Sequence, residues 1–360
     1  MIICLDFRSL YPVVMMGGNV FSIAKQGEPY WQGSGVYASI YQNNYDGVKG
    51  KYSRTRGVIE NTLYELLKKR LLVKDDPQQS LAIKILINTM YGISGSQKFK
   101  SVYNITTASD ITSMARRSIL HARTVLEEYG YQVLYTDTDS AYVKDPFNDL
   151  NKLKQVTDYI VDQQRRSMNV PTELHDFKVE CIIKHMYFFR DDNNQFVKKQ
   201  YIYVTDDNKV KAKGIRIVRG DCSPIAKTVY EKYIKPLALE GKSLKLSIEQ
   251  ITNWLKDEIK LNPEQLKKRY RLKSVESYKI AEGKDEATGL HAQLAKKYGA
   301  GEHWFVVNKR IGPGKKSHYC KLEELISKYG ETDWVDQILL DPYLGDLKCF
   351  ISDNERKKIK

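Results

Sequence analysis

The chain has 360 residues, of which 42% are hydrophobic, enough for two or three globular domains with buried cores. Lys and Arg outnumber Asp and Glu by 58 to 44, and the formal charge of +14 makes an extended polyanion the first partner to consider. No apolar run reaches the length of a bilayer span, and five singly spaced cysteines indicate neither a zinc site nor a disulfide framework. We therefore expect a soluble protein that is not secreted and has reduced thiols.

The first part of the chain predicts one strand and a pair of helices. "MIICLDF" is typical of a buried strand that ends near Asp6, and the stretch over residues 27–57 holds too many Gly and Asn for a helix. Apolar residues spaced as on one helical face predict an amphipathic helix over 58–74, ended by "DDP". A second helix follows at about 80–91, so the two should form an antiparallel hairpin.

The rest of the chain adds strands and then further helices. A long helix is predicted over about 109–129, followed by strand, acidic turn and strand in "YQVLYTDTDSAYV". Asp191 to Asn194 supplies turn chemistry for a further strand hairpin. Beyond Pro224 the pattern turns helical, with repeated basic clusters. These elements predict the α+β class.

Three acids lie where they could converge on one point. Asp6 ends the first strand, and Asp137 and Asp139 flank a turn at i and i+2. Converging carboxylates repel each other unless hard divalent cations neutralise them. The alternative is that Asp-Thr-Asp only caps backbone groups in its turn, as such sequences commonly do.

The helical hairpin carries a second set of polar side chains. Arg70 and Lys74 are four residues apart, and Lys84, Asn88 and Tyr91 share one helical face. Such a face suits a triphosphate with a planar base beside it, although basic faces are often only solvated. Acids and cations of these kinds in one chain point to phosphoryl transfer.

Three motifs resemble those of the family B (alpha-type) DNA polymerases, in the same order along the chain. "DFRSLYP", "KILINTMYG" and "YTDTDS" are similar to D-x-x-S-L-Y-P, K-x-x-x-N-S-x-Y-G and Y-G-D-T-D-S. "LLKKRLLVK", "KQY" and "KGIRIVRGD" resemble the fingers helix, the K-x-Y of the palm and the K-G-x-x-x-V-R-R-D that leads into the thumb. Thr89, Thr136 and Gly220 depart from these patterns and leave the acids and Lys84 unchanged.

The resemblance implies a right-hand architecture with an antiparallel-sheet palm, helical-hairpin fingers and a mainly helical thumb. It assigns residues 1–44 and 99–223 to the palm, 45–98 to the fingers and 224–360 to the thumb. From about residue 225 onward the assignment depends only on composition and on the fragment "SVESYKIAEGKDEATGLHAQLAKKYGAG".

The resemblance also implies residue roles at the catalytic centre. Asp6 and Asp139 would be the principal ligands of two Mg²⁺ ions, replaceable by Mn²⁺, and Asp137 a supporting acid; these acids and Lys84 form the predicted catalytic set. Tyr11 would be the steric gate that excludes a 2′-hydroxyl. The predicted nucleotide-binding residues are Ser9, Leu10, Tyr11, Arg70, Lys74, Lys84, Asn88 and Tyr91.

A separate group is implied to bind primer-template DNA. Its members are Tyr135, Lys199, Tyr201, Lys213 and Arg219. Lys199 and Tyr201 would contact the primer end. The basic runs "KKRYRLK" and "NKRIGPGKK" would hold the duplex backbone without reading its sequence.

The predicted function is therefore template-directed addition of deoxynucleotides to a primer 3′-hydroxyl, with release of pyrophosphate. Because family members carry N-terminal and exonuclease regions before the first motif, we expect a split or truncated polymerase without proofreading, with an excised piece of a longer chain as the third explanation. A separate N-terminal exonuclease chain is the expected partner, and the sequence leaves open whether that chain or a sliding clamp completes the enzyme. It would act in the bacterial, phage or viral replication setting of a cytoplasm, or in a nucleus. A non-catalytic DNA-binding subunit, a metal-dependent nuclease and an RNA-templated polymerase are the alternatives.

Overall fold

The computed structural model describes residues 1–28, 30–32, 50–168, 170–279, 289–309, 317–330 and 333–356. The chain divides into two compact units, Met1–Ile183 and Lys184–Lys360. Helices and antiparallel strands alternate along it, as the α+β prediction expected. No helix in these ranges is both long and apolar enough to cross a membrane. The predicted palm–fingers boundary at 44/45, and most of the predicted irregular stretch 27–57, lie outside the described residues.

The first unit contains a sheet covered by helices. Its strands are β1 (Ile2–Phe7), β2 (Tyr30–Gln32), β3 (Lys51–Ser53), β4 (Gln132–Asp137), β5 (Ser140–Lys144) and β6 (Phe177–Arg190), and β6 continues past the unit boundary. Its helices are α1 (Leu10–Gly17), α2 (Val58–Leu72), α3 (Pro77–Ser94), α4 (Ile105–Glu128) and α5 (Leu150–Met168). The sheet runs in the order β4-β5-β1-β6, all antiparallel, and β2 pairs separately with β3.

Strand β1 is central in this sheet and is buried on both faces along most of its length. Ile3, Leu5 and Phe7 belong to the hydrophobic core formed with α1, α4 and α5. Because alternate residues of a strand face opposite sides, Cys4 and Asp6 face away from that core. The predicted buried strand is confirmed, and its alternation presents Asp6 on the face opposite the helices.

The predicted helical hairpin is confirmed as α2 and α3, but α2 ends at Leu72 instead of residue 74 and α3 continues past the predicted end at residue 91 to Ser94. Helix α3 begins at Pro77 instead of about residue 80, because the Asp76 carboxylate accepts hydrogen bonds from the Gln78 and Gln79 N–H groups and proline suits the first turn. The long helix α4 likewise begins earlier than predicted, where the side chain of Asn104 caps it.

Two helices of this unit are absent from the sequence predictions. Six of the eight residues of α1 are buried, so its sequence shows no polar face by which to recognise a helix. Helix α5 is amphipathic, and its buried Leu153, Val156 and Ile160 recur at helical spacing, so the pattern itself predicts it.

The second unit mixes short helices with strands. Its further strands are β7 (Phe196–Thr205), β8 (Val210–Lys213), β9 (Lys268–Leu272), β10 (Gly301–Lys309) and β11 (Ser317–Cys320). Its α-helices are α6 (Pro224–Val229), α7 (Lys235–Leu239), α8 (Ile248–Leu261), α9 (Leu290–Tyr298), α10 (Leu322–Tyr329), α11 (Asp341–Asp346) and α12 (Asp353–Arg356). The predicted turn at 191–194 is confirmed, since the Asp191 N–H donates to the Gln195 carbonyl and Asn194 has φ 63°.

The prediction of a mainly helical region from residue 224 missed a three-stranded antiparallel sheet of β9, β10 and β11. The basic run "KKRYRLK" lies largely on β9, where Arg269 and Arg271 are exposed and Leu272 is buried. The basic cluster in the sequence is therefore part of a strand, in which exposed arginines alternate with more buried residues. Most of the second run, "NKRIGPGKK", lies outside the described residues.

Candidate active site

A cavity of about 540 Å³ lies in the first unit, beside the carboxyl end of β1. Side chains from the sheet and from the α2–α3 hairpin face it. Its lining residues are Asp6, Phe7, Arg8, Ser9, Leu10, Tyr11, Pro12, Arg70, Lys84, Asn88, Tyr91, Asp139, Lys178, Val179 and Glu180. The cavity therefore has an acidic sheet wall, formed by Asp6, Asp139 and Glu180, and a basic helix wall, formed by Arg70, Lys84 and Asn88.

Strand pairing brings Asp6 and Asp139 together although they are 133 positions apart in the chain. Asp6 lies directly opposite Ser140 across β1 and β5, and the Phe7 N–H donates to the Asp139 carbonyl at 2.9 Å. Asp139 belongs to the two-residue turn between β4 and β5. The convergence of these two acids is thus a consequence of register.

Two residues at the sheet wall have an unfavourable backbone conformation. Ser9 has φ 56° and Thr138 has φ 63°, in the left-handed region that β-branched residues such as Thr rarely occupy. Each such residue costs on the order of 1–3 kcal/mol and persists only where surrounding structure enforces it. Two of the residues with positive φ therefore lie beside the two acids.

The environment of Asp6 disfavours its negative charge. Burial is the main cause that raises the pKa of its carboxyl to about 6, and the charges of Asp139 and Glu180 add to the effect. The Ser140 hydroxyl donates to Asp6 Oδ2 at 2.7 Å and, with Lys84, acts in the opposite direction. Asp6 is thus a partly buried acid whose ionised form is disfavoured by desolvation and by two neighbouring carboxylates.

This donor set fits a hard divalent cation. Among the described residues, no group of three or more His, Cys, Asp or Glu side chains is positioned to hold a metal by itself. Mg²⁺, however, is usually bound by one or two carboxylates together with substrate phosphates, and Asp6 and Asp139 supply two. Asp137 is not among the cavity-lining residues, and its Oδ1 accepts from Thr138 Oγ1 at 3.2 Å.

The helix wall largely follows the predicted spacing. Lys84, Asn88 and Tyr91 line the cavity from one face of α3, and Lys84 and Asn88 are exposed. Lys74, predicted to act beside Arg70, instead lines an adjoining cavity of about 70 Å³.

Arg70 links the two walls. Its Nη1 donates to Ser9 Oγ at 2.6 Å, while its Nε is buried without a hydrogen-bond partner. Burial, and then the nearby charge of Arg8, lower the pKa of the Arg70 guanidinium. A partly buried guanidinium beside a second arginine suits an anion.

The aromatic side of the cavity is formed by two tyrosines of the predicted set. Tyr11 and Tyr91 pack edge to face, with ring centroids 5.1 Å apart and an interplanar angle of 67°. Leu10, the residue before Tyr11, is buried. The two rings therefore give the cavity a rigid apolar side next to its charged walls.

The sequence predictions missed Arg8, Lys178 and Glu180. Glu180 reaches the cavity through a bulge in β6: Cys4 pairs with Cys181 and Leu5 with Val179, so Glu180 is the extra residue. Bulges re-aim side chains, and they depend on a partner strand that is distant in sequence. No local signal marks Glu180, whereas Arg8 lies inside the "DFRSLYP" motif.

The predicted DNA-binding residues are mostly in the second unit. Lys199, Lys213 and Arg219 are exposed, and Arg219 pairs with Asp221 at 3.2 Å. Tyr201, opposite Lys213 in the β7–β8 pair, is only 1% exposed and packs against Phe188 and Tyr203, which indicates a packing role. In the first unit, Tyr135 stacks on Tyr142 at 6.3 Å and does not line the cavity.

The conformation of Gly214 explains why a glycine directly follows the last residue of β8. It has φ +63°, and a Cβ there would lie 1.9 Å from the Lys199 carbonyl oxygen. Only glycine combines that conformation with so close an approach of two backbones. It therefore fixes the course of the chain beside Lys199.

A family model described as DNA polymerase family B matches residues 1–302. The chain is 27% identical to the DNA polymerase of Thermococcus gorgonarius over 317 residues, 83% of this chain and 37% of that protein. It is 29% identical to DNA polymerase 1 of Pyrococcus abyssi over 249 residues, 67% of this chain and 30% of that protein. The chain thus spans about a third of the length of these relatives.

A solved structure shares the fold. The family B DNA polymerase from the hyperthermophilic archaeon Pyrobaculum calidifontis matches with a TM-score of 0.55 and 20% identity, over 99% of this chain and 44% of that one. The motifs quoted above and the cavity-lining acids fall inside the range matched by the family model. The chain belongs to family B of the DNA polymerases.

Proposed function

We propose that the chain is a DNA-directed DNA polymerase, a nucleotidyltransferase that adds deoxynucleotides to a primer 3′-hydroxyl and releases pyrophosphate. The observation that carries this proposal is that Asp6 and Asp139 share one cavity with Arg70, Lys84 and Asn88. A volume of about 540 Å³ is in the range of cavities that hold small molecules of this size. We assign the sheet with β4, β5, β1 and β6 to the palm, the α2–α3 hairpin to the fingers and residues from 224 onward to the thumb.

The helix wall would bind the triphosphate. Lys84 and Arg70 neutralise phosphate charge, and Asn88 lies on the same face of α3 and can hydrogen-bond to the same ligand. Arg70 would exchange its bond to Ser9 for bonds to phosphate oxygens, and Lys74 would act from the adjoining cavity. Tyr11, held edge-on by Tyr91, would exclude a 2′-hydroxyl from the incoming sugar.

The sheet wall would hold the divalent ions on Asp6 and Asp139, with Asp137 as a supporting acid. Bound Mg²⁺ lowers the pKa of a coordinated hydroxyl and neutralises charge on a leaving phosphate. Ser140 keeps the Asp6 carboxylate oriented through its 2.7 Å hydrogen bond, and Lys84 favours its ionised form. These contacts prepare the acid wall before substrate arrives.

Exposed cations of the second unit would bind the primer-template backbone. Lys199, Lys213 and Arg219 are the predicted contacts, and Arg269 and Arg271 on β9 extend the set. Contacts of this kind are sequence-independent and weaken with salt. The partner chain, the sliding clamp and the cellular compartment stay predictions.

Primer extension with Mg²⁺ and deoxynucleotides tests the proposal. We expect wild-type extension that is lost in Asp139→Asn and retained in Asp158→Asn, a matched control on the exposed side of α5. Primer-template binding should survive in both variants. Binding without extension by the folded wild-type chain would favour the non-catalytic subunit instead.

A further inference from the structure

Cys4 and Cys181 face each other across β1 and β6, on the same face of the sheet as Asp6. The register pairs them directly, and β1 continues from Cys4 to Asp6. We propose that these two thiols are a redox-sensitive modification site that forms a reversible intramolecular disulfide.

The register of the pair is compatible with a disulfide. Residues directly opposite in an antiparallel pair have Cα atoms about 4.5–5.5 Å apart, inside the span of about 4.4–6.8 Å that disulfides bridge. Opposed side chains leave the sheet on the same face, and the two thiols are already hydrogen-bonded to each other. The bond can therefore form without moving either strand far.

The two sulfurs differ in access. Cys4 is fully buried, whereas Cys181 is half-buried, so an oxidant reaches Cys181 first. Cys4, which is shielded from the oxidant, is therefore the second, resolving sulfur. All five cysteines are free thiols in the structure.

With hydrogen peroxide as oxidant, the reaction balances in two steps. The Cys181 sulfur attacks one peroxide oxygen, the O–O bond breaks, and sulfenic acid forms with release of one water. The Cys4 sulfur then attacks the Cys181 sulfur, the S–OH bond breaks, and a second water leaves as the S–S bond forms. Two thiols lose two electrons and two hydrogens, and the peroxide is reduced by two electrons.

The bond would alter the acid wall. Cys4 Sγ donates to Glu180 Oε2 at 3.4 Å, and Glu180 is the bulge residue that faces the cavity. Oxidation removes this donor and ties the bulge to β1. If the proposed polymerase function holds, oxidation should lower nucleotide incorporation; the disulfide itself does not depend on that function.

The test is disulfide mapping of the native full chain after peroxide treatment and alkylation. We expect a peptide that joins Cys4 and Cys181, lighter by two hydrogens and cleaved by dithiothreitol. Cys181→Ser should abolish the link, and Cys320→Ser, which removes a thiol of the second unit, should leave it intact. Alkylation of both Cys4 and Cys181 after oxidation, or oxidation of Cys181 without a link, would overturn the proposal.

A second measurement covers variants that fail to fold. In the wild-type chain alone, oxidation should raise the thermal unfolding midpoint by roughly 5 °C, because the link closes a long loop, and reductant should restore the original value. A cross-linked chain with a lowered midpoint would contradict the claim that the bond forms without moving either strand far. Nucleotide incorporation by the oxidised wild-type chain is then compared with that by oxidised Cys181→Ser. This comparison tests separately whether the disulfide affects the proposed polymerase function.

Discussion

The two walls of the cavity are built in different ways. The acidic sheet wall brings together Asp6, Asp139 and Glu180 through strand pairing, and it contains a bulge and a strained Thr138. The basic helix wall presents Lys84 and Asn88, which are exposed and lie one helical turn apart. One wall is half-buried and preorganised at a cost in stability, whereas the other is a solvated helix face formed by local spacing.

This difference sets what each wall can tolerate. A buried acid with a raised pKa depends on its neighbours, so a change there alters charge and geometry together. Replacing an exposed lysine on a helix removes that residue's contact with a ligand and disturbs little of the surrounding structure. Replacing an acid of the sheet wall should therefore have a larger effect than replacing a lysine of the helix wall.

Replacing Asp6 should have the largest effect. We expect Asp6→Asn to lower nucleotide incorporation by about a thousandfold or more, because it removes one of the two carboxylates proposed to hold the divalent ions. Asp137→Asn, which changes an acid outside the cavity lining, should cost about tenfold or less. Single-nucleotide incorporation rates check both, and equal losses in the two variants would show that the sheet wall extends to Asp137.

Lowering the pH should destabilise the first unit through protonation of His175, which packs against β1. This ring stacks on Phe7 with a centroid distance of 5.3 Å, its Nε2 bonds to Gln164 Oε1, and burial lowers its pKa to about 4. Between that value and the ordinary value of about 6.5 the unfolded chain binds the additional proton, so stability is full above this window and is lost as pH falls through it. The loss approaches about 3 kcal/mol.

Hydrogen exchange of the β1 amides at several pH values checks this prediction, since it reports local opening of the first unit alone. His175→Gln should flatten the pH dependence. His121, which also has a lowered pKa and shares Gln164 with His175, should leave a smaller residual slope. A wild-type profile independent of pH from about 7 down to 4 would contradict the assignment.

Truncating the helix wall should cost less than removing an acid. We expect Lys84→Ala to weaken nucleotide binding by about tenfold to a hundredfold, as for loss of one charge-assisted contact. Lys69→Ala on α2 provides the matched control, since Lys69 is exposed and lies outside the cavity. Kd values for the nucleotide distinguish the two variants, and an equal loss in both would mean that only general positive charge matters.

Relieving the strained turn should have the smallest effect. Thr138→Gly removes the steric cost of φ 63°, and we expect it to raise the free energy of unfolding by about 1 kcal/mol. Denaturant unfolding measures the change, with Thr112→Gly, on α4, as a control that should destabilise. A destabilised Thr138→Gly would show that the turn depends on the threonine side chain.

The sequence predicts the helix wall well because its information is local. The i, i+4, i+7 spacing of Lys84, Asn88 and Tyr91 is a property of one helix, and the structure brings all three to the cavity. The same rule grouped Lys74 with Arg70, yet only Arg70 lines the main cavity, and both line the smaller one. Spacing along a helix shows which residues share a face, but not which other elements that face packs against.

The sheet wall is only partly predictable. Asp6 and Asp139 could be proposed from a strand end and an acidic turn, but their adjacency depends on the β1–β5 register. Glu180 depends on a bulge, and the burial of Tyr201 depends on packing against distant rings. Such features arise from long-range pairing, which local pattern does not encode.

The most direct test of the account is Mg²⁺-dependent binding of a deoxynucleoside triphosphate to the chain on a primer-template that lacks a 3′-hydroxyl. The account predicts binding that requires Mg²⁺ and is weakened both by Asp139→Asn and by Lys84→Ala, with Lys69→Ala unchanged. Binding that is independent of Mg²⁺, or equal in all four proteins, would contradict the claim that the two walls form one nucleotide site.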